Sequence, residues 1–184
     1  MKIIETGLPG LLVIEPRVFE DDRGYFFESY QNRRYLDAGI ANPFIQDNES
    51  KSVAGVVRGL HYQLGEFAQA KLVRVVQGKV YDVAVDLRKG SPTFKQWFGL
   101  ELDENNKKQL FVPRGFAHGF SVLSETAIFT YKCDNLYNRE SERSINPFDP
   151  SLGIDWKLGD FKQIVSDKDV AAPLFDNADM NFNF

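Results

Sequence analysis

Two histidines occur in the 184 residues, and each lies inside a dense local motif: Arg58-Gly59-Leu60-His61-Tyr62-Gln63 and Pro113-Arg114-Gly115-Phe116-Ala117-His118-Gly119-Phe120. Imidazole is the side chain that exchanges a proton nearest neutral pH, and a guanidinium beside it binds anions, so both motifs point to proton transfer on an anionic ligand. The ordinary alternative, a strand histidine hydrogen-bonded within the core, stands equally open on residue type alone. Cys133, the single cysteine, has no intrachain disulfide partner and no second thiolate for a metal, and its apolar neighbours mark it as a buried structural thiol.

Strands must position these groups. Tyr81, Val83, Val85 and Leu87 alternate with Val80, Asp82, Ala84 and Asp86, and the segment begins just after Gln77-Gly78, read as a hairpin turn from a strand over Leu72 to Val76. Further strands are expected at Leu11 to Arg17, Gly24 to Ser29, Val56 to Gln63, Thr93 to Leu102, Gln109 to Val112, Phe116 to Leu123 and Thr126 to Cys133. Helical signal is confined to Gln31 to Ala38, stopped by Gly39, and a turn or two near Lys168 to Ala171. From Asn135 onward periodicity fades, and the segment reads as a long surface-packed tail with a frayed Asn-Phe-Asn-Phe end. The pattern is all-β, a sandwich or jelly roll with short flanking helices.

Composition sets the outer bounds. With 43% hydrophobic residues the chain is long enough for one domain over 1–184, and its 14% aromatic content is accounted for mostly by core packing. A net charge of -4 argues against nucleic-acid binding by bulk electrostatics. No apolar leader follows Met1, and no run approaches the roughly 18 apolar residues that a membrane span needs, so a cytoplasmic protein is expected.

Pro113-Arg114-Gly115-Phe116-Ala117-His118 matches the Pro-x-Gly-x-x-His motif of cupin barrels, in which a turn delivers a histidine to the barrel mouth. The companion motif, His-x-His followed by Glu, reads here as His61-Tyr62-Gln63 with Lys71 downstream. Two imidazoles and an ammonium make a poor metal site, so the expectation is a barrel of double-stranded β-helix type without a metal.

The chain closely resembles the dTDP-4-dehydrorhamnose 3,5-epimerase family. The resemblance runs end to end through Asp22-Arg23-Gly24-Tyr25-Phe26, Gln46-Asp47-Asn48, the His61 motif, Lys71-Leu72-Val73-Arg74-Val75, the Asp82 to Arg88 strand, the His118 motif, Tyr131, Tyr137 with Glu142, Leu152-Gly153-Ile154-Asp155-Trp156 and Ser166-Asp167-Lys168-Asp169. It implies a cofactor-free, metal-free homodimer acting on a dTDP-4-keto-6-deoxy sugar. The protons on carbons 3 and 5 of such a sugar flank the C4 ketone and are removable once a positive group stabilises the enolate oxygen. The resemblance assigns His61 as general base with Asp169 on its other ring nitrogen, Lys71 as enolate stabiliser, and Tyr131 as proton donor on the opposite face. Regular strands fit these roles: Lys71 shares a face with Val73 and Val75, and Tyr131 with Ala127, Phe129 and Cys133. His118 corresponds to a sugar-binding residue, Arg23 and Arg58 to diphosphate ligands, Tyr137 to a platform for the thymine ring, and Glu28, Gln46, Asp47, Asn48, Glu142 and Lys168 to further binding positions.

Three questions stay open at this level. On a flat strand Arg58 and His61 face opposite ways, so either a bend at Gly59 or sharing of Arg58 across a dimer is required. Many relatives place proline two residues after the stacking tyrosine, whereas this chain has Tyr137-Asn138-Arg139, which puts loop rigidity in question. The alternatives to double epimerisation are inversion at one carbon in the same fold and a non-catalytic jelly roll that binds nucleotide sugars.

Overall fold

The computed structural model describes residues 1–41 and 43–184. Among them the strands are β1 (Lys2–Glu5), β2 (Leu12–Glu15), β3 (Phe19–Asp21), β4 (Gly24–Phe26), β5 (Gln46–Val53), β6 (Val56–Gln63), β7 (Lys71–Gln77), β8 (Lys79–Asp86), β9 (Trp97–Asp103), β10 (Gln109–Val112), β11 (Phe116–Val122), β12 (Thr126–Cys133), β13 (Glu142–Ser144) and β14 (Ile164–Val165); the α-helices are α1 (Asn32–Asp37) and α2 (Asp167–Val170). One sheet runs β1-β2-β10-β7-β12-β5, and the facing sheet runs β13-β6-β11-β8-β9 with β14 parallel to β6. β3 and β4 form a separate hairpin. The two antiparallel sheets make the expected jelly roll, with short helices at its flanks.

Strand alternation explains the layers. Val73, Val75, Leu110, Ala127 and Phe129 of one sheet meet Val80, Ala84, Phe120 and Val122 of the other in the inner core. The opposite face of β8, with Tyr81, Val83 and Val85, is covered by Ile145, Leu152, Trp156 and Phe175. The segment expected as a surface tail therefore forms a second core layer. Its end is tied rather than frayed: Phe184 N–H donates to the Lys89 carbonyl at 3.1 Å, and the Phe184 ring lies 5.0 Å from the Arg88 guanidinium. On the outer face of the first sheet, α1 adds Tyr35 to a cluster with Ile14, Ile40 and Leu72. The Gln31 side chain accepts from Arg34 N–H at the start of α1, and Gly39 at φ +85° follows its end.

One strand expectation needs correction. β7 and β8 are not a hairpin: β7 pairs with β10 and β12, while β8 pairs with β11 and β9. Gly78 carries the chain from one sheet to the other at φ +78°, where a Cβ would lie 2.1 Å from the Thr126 carbonyl. No strand was expected over β5, since Gln46-Asp47-Asn48-Glu49-Ser50-Lys51-Ser52 has no apolar alternation. It is a strand whose inward residues Gln46, Asn48, Ser50 and Ser52 lie opposite Cys133, Tyr131, Phe129 and Ala127 of β12.

Candidate active site

Arg58 and His61 do face the same way, because β6 bends. His118 and Phe120, two residues apart on β11, pair with His61 and Arg58, three apart on β6, so the register gains a residue at Gly59. The Gly59–Leu60 peptide is cis. Glycine is needed on both strands there: a Cβ on Gly59 would meet Gly119 Cα at 2.6 Å, and one on Gly119 would meet the Arg58 carbonyl at 2.6 Å. Phe120 lies in the inner core, stacked on Phe129 at 4.2 Å, so its partner Arg58 also looks inward; Arg58 Nε donates to Ser52 Oγ at 3.0 Å.

His61 Nε2 is 2.7 Å from Asp169 Oδ1. Asp169 comes from α2, whose N-cap Ser166 accepts from the Asp169 N–H at 3.1 Å, and Gly59 N–H lies 3.5 Å from the other carboxylate oxygen. Burial pushes the Asp169 carboxyl up, but the His61, Ser166 and Gly59 contacts together outweigh it and hold the group below its ordinary range. The carboxylate orients the ring through Nε2, so Nδ1 is the ring nitrogen that it does not engage.

Lys71 and Tyr131 point into the same interior, with the Lys71 ammonium 5.7 Å from the Tyr131 ring centre. Burial drives Lys71 toward its neutral amine, opposed by neighbouring negative charge. Burial also raises the Tyr131 phenol, which keeps its proton in place at neutral pH. His118 is buried, stacked on Phe129 at 6.1 Å, and its Nε2 lies 3.0 Å from both carboxylate oxygens of Asp82. Cys133 is buried and free, its thiol pushed up to about 11 chiefly by burial.

Beside this group, Gln46, Asn48, Gln63, Gln69, Lys71, Tyr131, Tyr137 and Glu142 line a cavity of about 270 Å³. Glu142 accepts from the Tyr137 hydroxyl at 3.2 Å and from Lys168 Nζ at 2.6 Å. Lys168 in turn lines a neighbouring cavity of about 360 Å³ with Arg58, His61 and Asp169. The loop without proline is tied by side chains: Gln63 Oε1 accepts from Asn138 N–H at 2.6 Å, Gln46 Oε1 from Tyr137 N–H at 3.0 Å, and Asn138 Oδ1 from Ser141 N–H at 3.0 Å. Sequence reasoning assigned no role to Gln63 or Asp82, although both lie in the matched motifs, and burial of their polar heads is the signal it lacked.

Three expected binding residues lie elsewhere. Asp47 faces out of the sheet and pairs with Lys132 at 2.9 Å. Arg23 pairs with Asp21 inside the β3–β4 hairpin at 2.6 Å, with 89% of its side chain exposed, and Glu28 pairs with Arg34 beside α1. The other predicted site residues converge on the barrel interior and its mouth. Among the described residues, no group of three or more His, Cys, Asp or Glu side chains is gathered to hold a metal ion.

A cupin-type jelly roll that brings a histidine–carboxylate pair from one sheet toward a half-buried lysine and a tyrosine from the facing sheet is an enzyme fold fitted for acid–base chemistry. The family model for dTDP-4-dehydrorhamnose 3,5-epimerase matches residues 5–177, and the chain belongs to that family of isomerases. It is 52% identical to the dTDP-4-dehydrorhamnose 3,5-epimerase of Salmonella typhimurium over 97% of each chain. A crystal structure of the enzyme of that name from Elizabethkingia anophelis superposes with a TM-score of 0.92 at 54% identity, covering 96% of this chain and 97% of that one. The dTDP-6-deoxy-D-glucose-3,5-epimerase of Legionella pneumophila, solved in complex with dTDP-4-keto-L-rhamnose, gives 0.93 at 52% identity, covering 97% and 94%.

Proposed function

We propose that the protein inverts carbons 3 and 5 of dTDP-4-dehydro-6-deoxy-D-glucose to give dTDP-4-dehydro-L-rhamnose. The carrying observation is the His61–Asp169 contact at 2.7 Å on the same barrel interior as Lys71 and Tyr131. His61 Nδ1 takes the proton beside the C4 ketone, and Asp169 stabilises the imidazolium that results. The Lys71 ammonium stabilises the enolate oxygen. Tyr131 returns a proton to the carbon from the opposite face, and His61 and Tyr131 reset through solvent before the second carbon reacts. His118 binds near the sugar carbonyl, Arg58 and Lys168 meet the diphosphate, and Tyr137 stacks on the thymine ring with Gln46, Asn48 and Glu142 around the nucleoside.

The working unit is a homodimer in the cytoplasm, and Arg23 and Glu28 serve the site of the second copy. What supports this is their distance from the barrel interior in the fold of their own chain, together with Phe19, Tyr25 and Phe26, which leave 50%, 57% and 68% of their surface exposed on the same hairpin. Asp47, on the outer face of its sheet, belongs to the same contact.

Turnover of dTDP-4-keto-6-deoxyglucose, followed by NMR assignment of the product's configuration, tests the reaction. Inversion at both carbons is expected. Inversion at one carbon would make the protein a single-site epimerase, and nucleotide binding without any inversion would make it a binding module.

A further inference from the structure

Four side-chain carboxamides, those of Gln46 and Asn48 on β5, Gln63 on β6 and Gln69 in the loop before β7, line the cavity of about 270 Å³ beside Tyr137. A carboxamide has an acceptor at one end and two N–H donors at the other, and its partners fix which end is which. Gln63 is engaged at both ends, donating to the Phe67 and Leu136 carbonyls and accepting from Asn138 N–H. Gln46 Oε1 accepts from Tyr137 N–H at 3.0 Å, so Nε2 is the end that donates to Asn48 Oδ1 at 3.2 Å, and Asn48 turns its Nδ2 toward Cys133 Sγ at 3.7 Å. Gln69 is held the other way round: its Nε2 donates to the Asn135 carbonyl at 2.8 Å, and among the described residues its Oε1 has no donor. The Asn135 side chain returns to the Glu66 carbonyl at 2.7 Å, so the loops that carry Gln69 and Tyr137 brace one another.

The cavity therefore presents one fixed acceptor, Gln69 Oε1, together with the donors Asn48 Nδ2 and Gln46 Nε2. Glu142, the other acceptor there, sits at the phenol end of Tyr137, where its Oε2 takes the Tyr137 hydroxyl at 3.2 Å and the Lys168 ammonium at 2.6 Å. Stacking on a tyrosine ring holds any flat base, so a choice among bases has to be made at the ring edge. The edge of thymine carries an N3–H donor between two carbonyl acceptors, the complement of this lining; cytosine carries a bare nitrogen at N3 and an amine at C4, which sets acceptor against acceptor and donor against donor. We propose that Gln69 is a specificity-determining residue that reads the imide edge of the base, its Oε1 accepting from N3–H, so that the site takes thymine and uracil nucleotides and rejects cytosine ones. The inference rests on the reading of Tyr137 as the platform for the base.

The test is binding of dTDP, dUDP and dCDP to the full chain by calorimetry, with the N3 imino proton of 15N-labelled dTDP followed by NMR. Wild-type protein is expected to hold dTDP and dUDP within about tenfold of one another and dCDP about 10²-fold more weakly, because cytosine leaves the Gln69 acceptor facing a second acceptor. Bound dTDP should show a slowly exchanging imino resonance. Gln69→Met keeps the length of the side chain and removes both polar ends; dTDP should weaken about tenfold and dCDP much less, and the imino resonance should be lost while the thymine methyl still reports a bound base. A purely structural role would weaken both nucleotides alike and leave their ratio unmoved. Equal wild-type affinity for dTDP and dCDP, an imino proton that exchanges freely in the wild-type complex, or a ratio unchanged in Gln69→Met would overturn the proposal. The wild-type measurements decide even if the variant fails to fold. They need no turnover, so a failure of the epimerase reading would be seen separately, as protein that binds the nucleotides in this order and inverts neither carbon.

Discussion

Asp169 and His61 are 108 positions apart, yet one hydrogen bond between them orients the ring on which the proposed proton abstraction depends. His61→Asn should reduce deuterium exchange at both sugar carbons by about 10²–10⁴-fold while leaving dTDP affinity within a few fold, checked by mass spectrometry and calorimetry. In the proposed mechanism Tyr131 acts after the proton has left. Tyr131→Phe should therefore slow net inversion by about 10²-fold and slow first proton loss much less; equal slowing would give the tyrosine a different role. The two histidines were legible in the sequence as scarce residues in dense motifs, whereas Lys71, Tyr131 and Asp169 were singled out by the family resemblance, with strand alternation agreeing on inward faces for the first two. The partner of His118 was not legible, since the pairing of β8 with β11 that brings Asp82 beside it is a tertiary fact.

Elements hold these groups through a few buried polar ties. Gln63, in β6, donates to the Phe67 and Leu136 carbonyls at 2.7 and 3.1 Å and accepts from Asn138, so it fixes the loop that carries Tyr137. Gln63→Leu should raise KM by about tenfold with kcat changed less than about twofold, because nucleotide seating is lost and the chemistry is not. Asp86, fully buried at the end of β8, accepts from Arg88, Ser91 and Thr93, and Arg88 reaches on to the Pro9 carbonyl at 2.9 Å. Burial raises the Asp86 carboxyl, but these bonds more than offset it and hold the group below its ordinary range. Its stabilisation is therefore present above the unfolded-state value near 3.9 and is lost as pH falls through the folded one. Asp86→Asn should lower the unfolding free energy by about 3 kcal/mol in urea titrations, with a flatter pH dependence on the acid side. Alternating strands such as β8, β11 and β12 could be read from hydrophobic period, and α1 from its glycine stop. β5 could not, because its inward face lines a wet site, and the β7–β8 connection misled because a glycine turn looks alike within a sheet and between sheets.

At the scale of the whole molecule, the His61 site and the Arg23 hairpin belong to different parts of one chain, and the proposed homodimer joins them by exchanging hairpins. Arg23→Ala and His61→Asn proteins, each nearly inactive alone, should regain roughly a quarter of wild-type activity after subunit mixing, since half the dimers are mixed and one of their two sites is intact. Absence of recovery would place Arg23 at its own chain's site. The central claim, removal and opposite-face return of a proton at two carbons by one barrel interior, is tested most directly by turnover of dTDP-4-keto-6-deoxyglucose in heavy water with deuterons counted at each carbon. The account predicts one deuteron at carbon 3 and one at carbon 5, both lost in His61→Asn. Deuterium at a single carbon, or exchange that survives in His61→Asn, would contradict it.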